Sequence, residues 1–426
     1  MWRKHFCLFV RASYFAEKFL TMKRTVGIVA LVAAIMSAVQ SCGVHEIGKI
    51  LPDTSDGDVW GGPIEENDGA GIIEQICYMT ALDYQKGYDW RADRDRDNVR
   101  CSLIVYADGR LIMKVPVGKE YETGPDPDMH RIMNGHLYTD YSTSDETVIK
   151  KDGAQIFRYP GREVICGMAS SGDDVFTLGQ NREGAGFTYR KNGEIVISRE
   201  NGWVMGDLRH DEDSLYFAFS ERIISSAGEV WRYYAVRNGK VRQIAVRDDV
   251  LKVWDAICDR RSEIYVASLV GVAEPVLFHE GRMLTLPLPS GDALLSATLS
   301  GHAERPVVEM MCLSGGGIYS VVWQEGEHPV SFPEGNTVSS MCCPENGVCC
   351  TINPQGTSSE GLIYRCGEVH DMPCGFACLG SNAICMVNGI LNVGLVSHDG
   401  KEVLIWKDGE TETLKINGYI ASITAQ

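Results

Sequence analysis

A chain of 426 residues with 57 acidic against 40 basic side chains carries a net charge of −17. That sign repels phosphate backbones and anionic headgroups, which argues against nucleic-acid binding. The apolar fraction of 44% is ample for a core, and 45 glycines against 15 prolines fit a turn-rich fold rather than a collagen-like or disordered chain.

The first stretch with a physical signature starts at Met22. Lys23-Arg24 is followed by an apolar run from Val26 to Met36 and then by Ser37-Ala38-Val39-Gln40-Ser41-Cys42. A short basic region, an apolar core too short for a confident membrane span and small residues before a cut describe a secretory leader. Residues 1–21 are unnecessary for that leader, so Met22 is the expected start. The segment resembles a bacterial lipoprotein signal, with Val39 three places before Cys42 and Ser41 just before it; the resemblance implies that Cys42 becomes the lipidated N-terminus. Without residues 1–41 the chain keeps 34 basic and 56 acidic side chains, a net charge of −22. Membrane contact is therefore expected through the lipid alone. Residues 42–71, polar and glycine-rich without apolar period, read as a tether.

From residue 72 onward one unit recurs: an apolar run, often an aromatic, then a Gly-containing turn. The turns fall at Asp108-Gly109, Asp152-Gly153, Asn192-Gly193, Asn238-Gly239, Glu280-Gly281, Glu325-Gly326, Cys366-Gly367 and Asp408-Gly409, with glycine spacings of 44, 40, 46, 42, 45, 41 and 42. That period is one four-stranded propeller blade. Residues 164–197 parse accordingly: strands over 164–168, 175–178, 187–189 and 195–197, the last two joined by Asn192-Gly193, a pair suited to a tight hairpin. Tyr106, Phe278, Trp323, Tyr364 and Trp406 sit three places before the turn glycine and are expected to pack between blades.

The first unit lacks an innermost strand, and after the eighth hairpin the run 419–423 is left over. Pairing the two chain ends would fill the gap and remove the exposed sheet edges. The sequence therefore predicts an all-β propeller over 72–426 with eight four-stranded blades, closed by its terminal strands; seven blades remain the alternative if 72–115 lie outside the ring. The Trp406-Lys407-Asp408-Gly409 turn and runs such as Glu263-Ile264-Tyr265-Val266-Ala267 resemble the repeats of Bacteroidetes-type lipoprotein β-propellers. The resemblance implies fold and compartment and brings no catalytic residues. Gly43-Val44-His45-Glu46-Ile47 carries a single acid where many surface lipoproteins of that group have several, which leaves a surface and a periplasm-facing anchor at the outer membrane both open.

Candidate chemistry is sparse. Asp93, Asp95 and Asp97 alternate as in a calcium loop, but Asn98 stands where glycine is usual and Ile104 where a bidentate glutamate is needed, and Arg94 and Arg96 neutralise the run. Cys342-Cys343 and Cys349-Cys350 could supply a disulfide or a soft-metal site, although neighbours on a strand face opposite ways and zinc would need two further ligands. Asp207 and His210-Asp211-Glu212-Asp213 form the densest acidic and histidine cluster and read as a solvated turn. Ser314-Gly315-Gly316-Gly317 precedes a strand rather than the helix a phosphate loop requires. No nucleophile elbow, Walker loop or H-E-x-x-H pattern occurs, so no catalytic residue, cofactor or metal ligand is assigned. The expected function is a monomeric, lipid-anchored envelope protein acting as a non-enzymatic scaffold for a protein or glycan partner. The alternative is a glycan-active hydrolase or lyase with its site at the channel mouth.

Overall fold

The computed structural model describes residues 75–91, 101–117, 130–181, 185–211, 214–225, 228–244, 246–259, 263–289, 291–302, 305–344, 347–354 and 361–426. Among these residues the chain forms strands and turns only, arranged as eight antiparallel sheets, seven of them built from strands consecutive in the chain. The fold is an eight-bladed β-propeller. Blade 1 is assembled from both ends of the chain: Arg110–Val117 outermost, then Cys101–Ala107, Cys77–Tyr84 and, innermost, Gly418–Ala425. Register runs from Cys77 opposite Ala425 to Asp83 opposite Gly418, so the C-terminal strand supplies the inner position that the first repeat lacks. The seven-blade alternative falls, because Cys77–Tyr84, Cys101–Ala107 and Arg110–Val117 lie inside the ring. Blades 2 to 8 span residues 130–160, 163–199, 202–243, 250–285, 293–331, 336–371 and 376–414. In blade 8 the inner strand is split into Phe376–Ala377 and Ile384–Val387, both paired with Ile390–Ser397.

The outer hairpins explain the glycine period. Seven of the eight turns hold a residue at φ 45–51° followed by glycine at φ 72–103°, the two left-handed positions of a type I′ turn. Asp or Asn at the first position does more than tolerate that conformation. The Cys77 N–H donates to Asp108 Oδ1 at 2.9 Å, Leu137 to Asp152 at 2.9 Å, Val175 to Asn192 at 2.8 Å, Leu215 to Asn238 at 2.8 Å and Leu391 to Asp408 at 3.0 Å. These five outer turns thereby pin the first or second residue of their blade's second strand. Glu325-Gly326 is the exception: only Gly326 has positive φ, and the following strand shrinks to Val330–Ser331. Here Glu325 reaches back to blade 5, accepting from His279 at 2.6 Å and pairing with Arg282 at 3.1 Å.

The core is a ring of apolar clusters between neighbouring blades. Leu82, Leu103, Ile132 and Leu137 join blades 1 and 2, Tyr138, Ile149, Ile165 and Val175 join blades 2 and 3, and Phe187, Phe217 and Phe219 join blades 3 and 4. The repeated aromatics act here as expected. Trp323 packs with Ile264 and Leu277 of blade 5, Tyr364 against Val322 and Phe332 of blade 6, and Trp406 with Ile363 and Met372 of blade 7.

Candidate interaction surface

Buried polar side chains in a propeller are the first place to look for chemistry, and here they link the blades to one another. Between blades 1 and 2, Thr80, His130 and Ser422 form a buried trio, with the Thr80 and Ser422 hydroxyls 2.7 Å apart and His130 Nε2 3.2 Å from Ser422. Glu163 of blade 3 donates its N–H to Thr147 of blade 2 at 2.9 Å and receives a bond from Ser142. Gln180 of blade 3 accepts from the Val204 N–H of blade 4 at 2.9 Å and donates to the Gly202 carbonyl at 3.1 Å. Asp255 of blade 5 serves two neighbours, taking Gly206 N–H of blade 4 on Oδ1 and Leu299 N–H of blade 6 on Oδ2, both at 3.0 Å. Ser320 of blade 6 accepts from Val338 N–H at 3.1 Å, and Ser340 of blade 7 donates to the Ser381 carbonyl at 2.9 Å. The Ile423 N–H then closes blade 8 onto blade 1 through the Asn382 carbonyl at 2.8 Å. All eight junctions thus carry a polar link, which satisfies groups whose burial would otherwise cost stability.

Inner strands carry bulges as well, at Cys166, at Leu251 and Trp254, and at Ser339 among others. The largest, residues 206–208 of blade 4, holds Asp207, which is exposed. Exposed His210 and the strand-ending Asp211 follow it into the turn, while Glu212 and Asp213 lie outside the described residues. Sequence reasoning missed Arg209 in the middle of this cluster. Its guanidinium donates to the Gly301 carbonyl of blade 6 at 2.6 Å.

The remaining candidates separate as follows. Cys42 and the Asp93, Asp95 and Asp97 run lie outside the described residues. Ser314-Gly317 forms a turn, with Ser314 N–H donating to Gly317 O at 3.0 Å, and leads into the strand Ile318–Gln324 as read. Among the described cysteines, Cys101, Cys258, Cys312, Cys349, Cys350 and Cys378 are buried as small apolar groups. Burial pushes the thiols of Cys101, Cys258 and Cys343 up to about 12, which keeps them protonated and inert near neutrality.

Two surface features stand out. The first is a cleft of about 270 Å³ at the seam between blades 8 and 1, floored by Met79, Ile405 and Ile423 with Asp108 and Lys407 at its edge. It is smaller than the usual ligand cavity. The second is the middle hairpin of blade 4, Ser214–Ser225 with Gly228–Arg237, paired without interruption from Tyr216 opposite Arg237 to Ser225 opposite Gly228. The inner strand's register ends at Glu221, with one more backbone bond from Arg222 N–H to Asn201 O. The outer strand's ends at Tyr234, with one more from Ile244 N–H to Tyr233 O, so among the described residues 223–225 and 228–232 outrun the neighbouring strands. Ile224 is 76% exposed, Val230 47% and Trp231 42%, and Trp231 tilts against Trp203 with ring centroids 5.1 Å apart. Arg222 and Arg232 flank these residues and are also exposed. The sequence did carry a signal for this projection, since the 46-residue spacing between Gly193 and Gly239 is the longest of the seven.

No protein-family model matches the chain, and no curated protein matches it. Solved structures with a similar fold include a dihydro-heme d1 dehydrogenase, at 11% identity and a TM-score of 0.48 over 85% of this chain and 76% of that one. The β-propeller domain of the Trilobed protease from Pyrococcus furiosus matches at 9% identity and 0.40, over 64% of this chain and 87% of that one. An acylaminoacyl peptidase from Pyrococcus horikoshii matches at 10% and 0.40, over 76% and 49% respectively.

Proposed function

We propose that this propeller is a lipid-anchored envelope scaffold that binds a partner protein through the projecting hairpin of blade 4. The observation that carries the reading is the exposure of Ile224, Val230 and Trp231 on a strand pair that outruns its own sheet. Uncovered strand edges offer backbone N–H and C=O groups to an incoming extended segment, and the adjacent apolar side chains give that segment pockets to fill. An apolar centre beside Arg222 and Arg232 matches the core-and-rim anatomy of protein interfaces. Aliphatic residues beside the tryptophans favour a protein over a glycan, which is held mainly by aromatic faces and polar groups. The buried carboxylate of Asp255 is already committed to backbone N–H groups, which supports a binding role over glycan hydrolysis at the channel. Anchoring follows from the lipoprotein-like leader ending at Cys42.

Site-specific photo-crosslinking in producing cells tests the reading. A crosslinker at Ile224 or Trp231 is expected to give one discrete protein adduct, lost in an Ile224→Glu/Val230→Glu variant of unchanged thermal stability. A crosslinker at Ile195, exposed on the outer strand of blade 3, is expected to give none. Equal labelling from all three positions, or adducts of carbohydrate alone, would rule out the proposed surface. Cys42→Ala is expected to abolish metabolic labelling with a fatty-acid probe.

A further inference from the structure

In blade 7 the outer turn breaks the Asx rule, and its substitute is a cysteine. Cys366 takes the left-handed first position at φ 46°, and its N–H donates to the Val348 carbonyl at 2.8 Å. Its side chain therefore lies where Asp or Asn pins the second strand in five other blades. That strand opens with Cys349, fully buried, whose Sγ is 3.6 Å from Cys366 Sγ. On the other side Cys349 stands directly opposite Cys342 in the antiparallel register. Three cysteines converge from two strands and a turn: Cys366 exposed, Cys342 half-buried and Cys349 buried between them. Only one of each adjacent pair joins the group. Cys343 and Cys350 belong instead to the apolar cluster between blades 6 and 7.

We propose that Cys366, Cys349 and Cys342 form a thiol–disulfide relay that accepts oxidising equivalents from an external disulfide. The Cys366 thiolate attacks a sulfur of the incoming disulfide RSSR, forming a mixed disulfide and releasing one RS⁻, which takes up the Cys366 proton. Cys349, whose thiol the neighbouring Cys342 and burial hold above the ordinary value, then attacks the Cys366 sulfur and expels the second RS⁻, which takes up the Cys349 proton. The balance is two protein thiols oxidised to one disulfide and one RSSR reduced to two RSH. Cys342 can next attack Cys349, moving the disulfide inward to Cys342–Cys349 and returning Cys366 to the surface as a thiol. Exposure orders the steps, since Cys366 is the most exposed of the three, Cys342 is half-buried and Cys349 is buried between them. The chemical class of substrate is a small-molecule or protein disulfide, as met in an oxidising compartment.

The test uses the full chain with oxidised glutathione, followed by blocking of free thiols and peptide mass mapping. Wild type is expected to release about two glutathiones per chain and to yield a Cys349–Cys366 or Cys342–Cys349 linked peptide. Cys349→Ser is expected to stall with glutathione on Cys366. Cys366→Asn restores the turn residue used elsewhere, so it folds, and it is expected to slow internal disulfide formation by at least tenfold. Cys374→Ser, removing the other exposed thiol among the described residues, is expected to leave the products unchanged. A wild-type chain that retains glutathione on Cys366 with Cys349 reduced, or an internal disulfide that forms equally fast in Cys366→Asn, would overturn the relay.

Discussion

The hydroxyls of Thr80 and Ser422, 342 positions apart in the chain, are hydrogen-bonded at 2.7 Å in the interior of blade 1. Around them the seam is fastened in layers. Gln426 exchanges backbone bonds with Ile76 at 2.8 and 3.1 Å, and its side chain reaches the Ile132 carbonyl and the Gly135 N–H of blade 2. The first described strand, Cys77–Tyr84, and the last, Gly418–Ala425, are therefore paired members of the ring. Removing residues 418–426 is expected to expose the edge of Cys77–Tyr84 and produce an aggregating chain without a cooperative transition, followed by circular dichroism and light scattering. Ser422→Ala, which leaves the pairing intact, is expected to cost about 1–2 kcal/mol in urea denaturation, because Thr80 and His130 both lose a buried partner. A truncated chain that melts like the intact one would show the seam to be dispensable.

Asp255 ties three blades together with one carboxylate, and besides Gly206 and Leu299 it accepts its neighbour Ala256 N–H at 3.0 Å. Both oxygens face donors. Asp255→Asn turns one oxygen into an NH₂ group directed at a backbone N–H, so a cost of about 2–4 kcal/mol is expected. Asp255→Ala is expected to be no better tolerated. Equilibrium unfolding of both variants checks this, and a change below about 0.5 kcal/mol would refute the role assigned to the link.

Glu309 of blade 6 is buried, accepts from Ser320 Oγ at 3.2 Å, and has its carboxyl pushed up to about 7 by burial, against an ordinary value of 4.5. Below pH 4.5 the side chain is protonated whether folded or unfolded and does not affect stability. Between pH 4.5 and 7 the unfolded chain ionises while the folded one stays neutral, so stability falls, by about 3 kcal/mol once pH exceeds 7. Glu309→Gln is expected to remove that penalty, raising stability at pH 8 and flattening its decline between pH 5 and 7. Parallel pH profiles for the two proteins would contradict it.

The outer turns offer a matched pair of substitutions. Asn238→Ala loses both the tolerance for a left-handed conformation and the bond to Leu215 N–H, for an expected cost of about 1–2 kcal/mol. Glu280→Asn, at φ 50° without such a bond, is expected to gain up to about 1 kcal/mol. Chemical denaturation resolves both signs, and destabilisation by Glu280→Asn would break the rule drawn from the other blades.

How much of this was legible beforehand depends on the range of the interaction. Turn chemistry is local: positive φ at two successive residues demands Asx-Gly pairs, so Asp108-Gly109 and Asp408-Gly409 advertised the blade period directly. The surplus run 419–423 and the missing inner strand of the first unit were both countable, which is why blade number and closure could be anticipated. The links of Asp255, Gln180 and Thr80 could not, because each joins residues whose nearness exists only after the ring has closed. Arg209 illustrates the limit: it sat unremarked among the acids of its turn while its true partner, Gly301, lay 92 residues away. The blade 4 hairpin left only a faint trace, a longer spacing without a direction.

The sequence by itself therefore determined the architecture, since period, turn residues and apolar alternation are properties of neighbouring residues. Tertiary structure alone decided which polar groups are consumed in holding the ring, that Ile224 and Trp231 project beyond it, and that Cys366 stands beside Cys349. Those outcomes depend on how far strands extend past their partners and which side chains meet across a junction. Both are fixed by packing between segments that the chain keeps far apart.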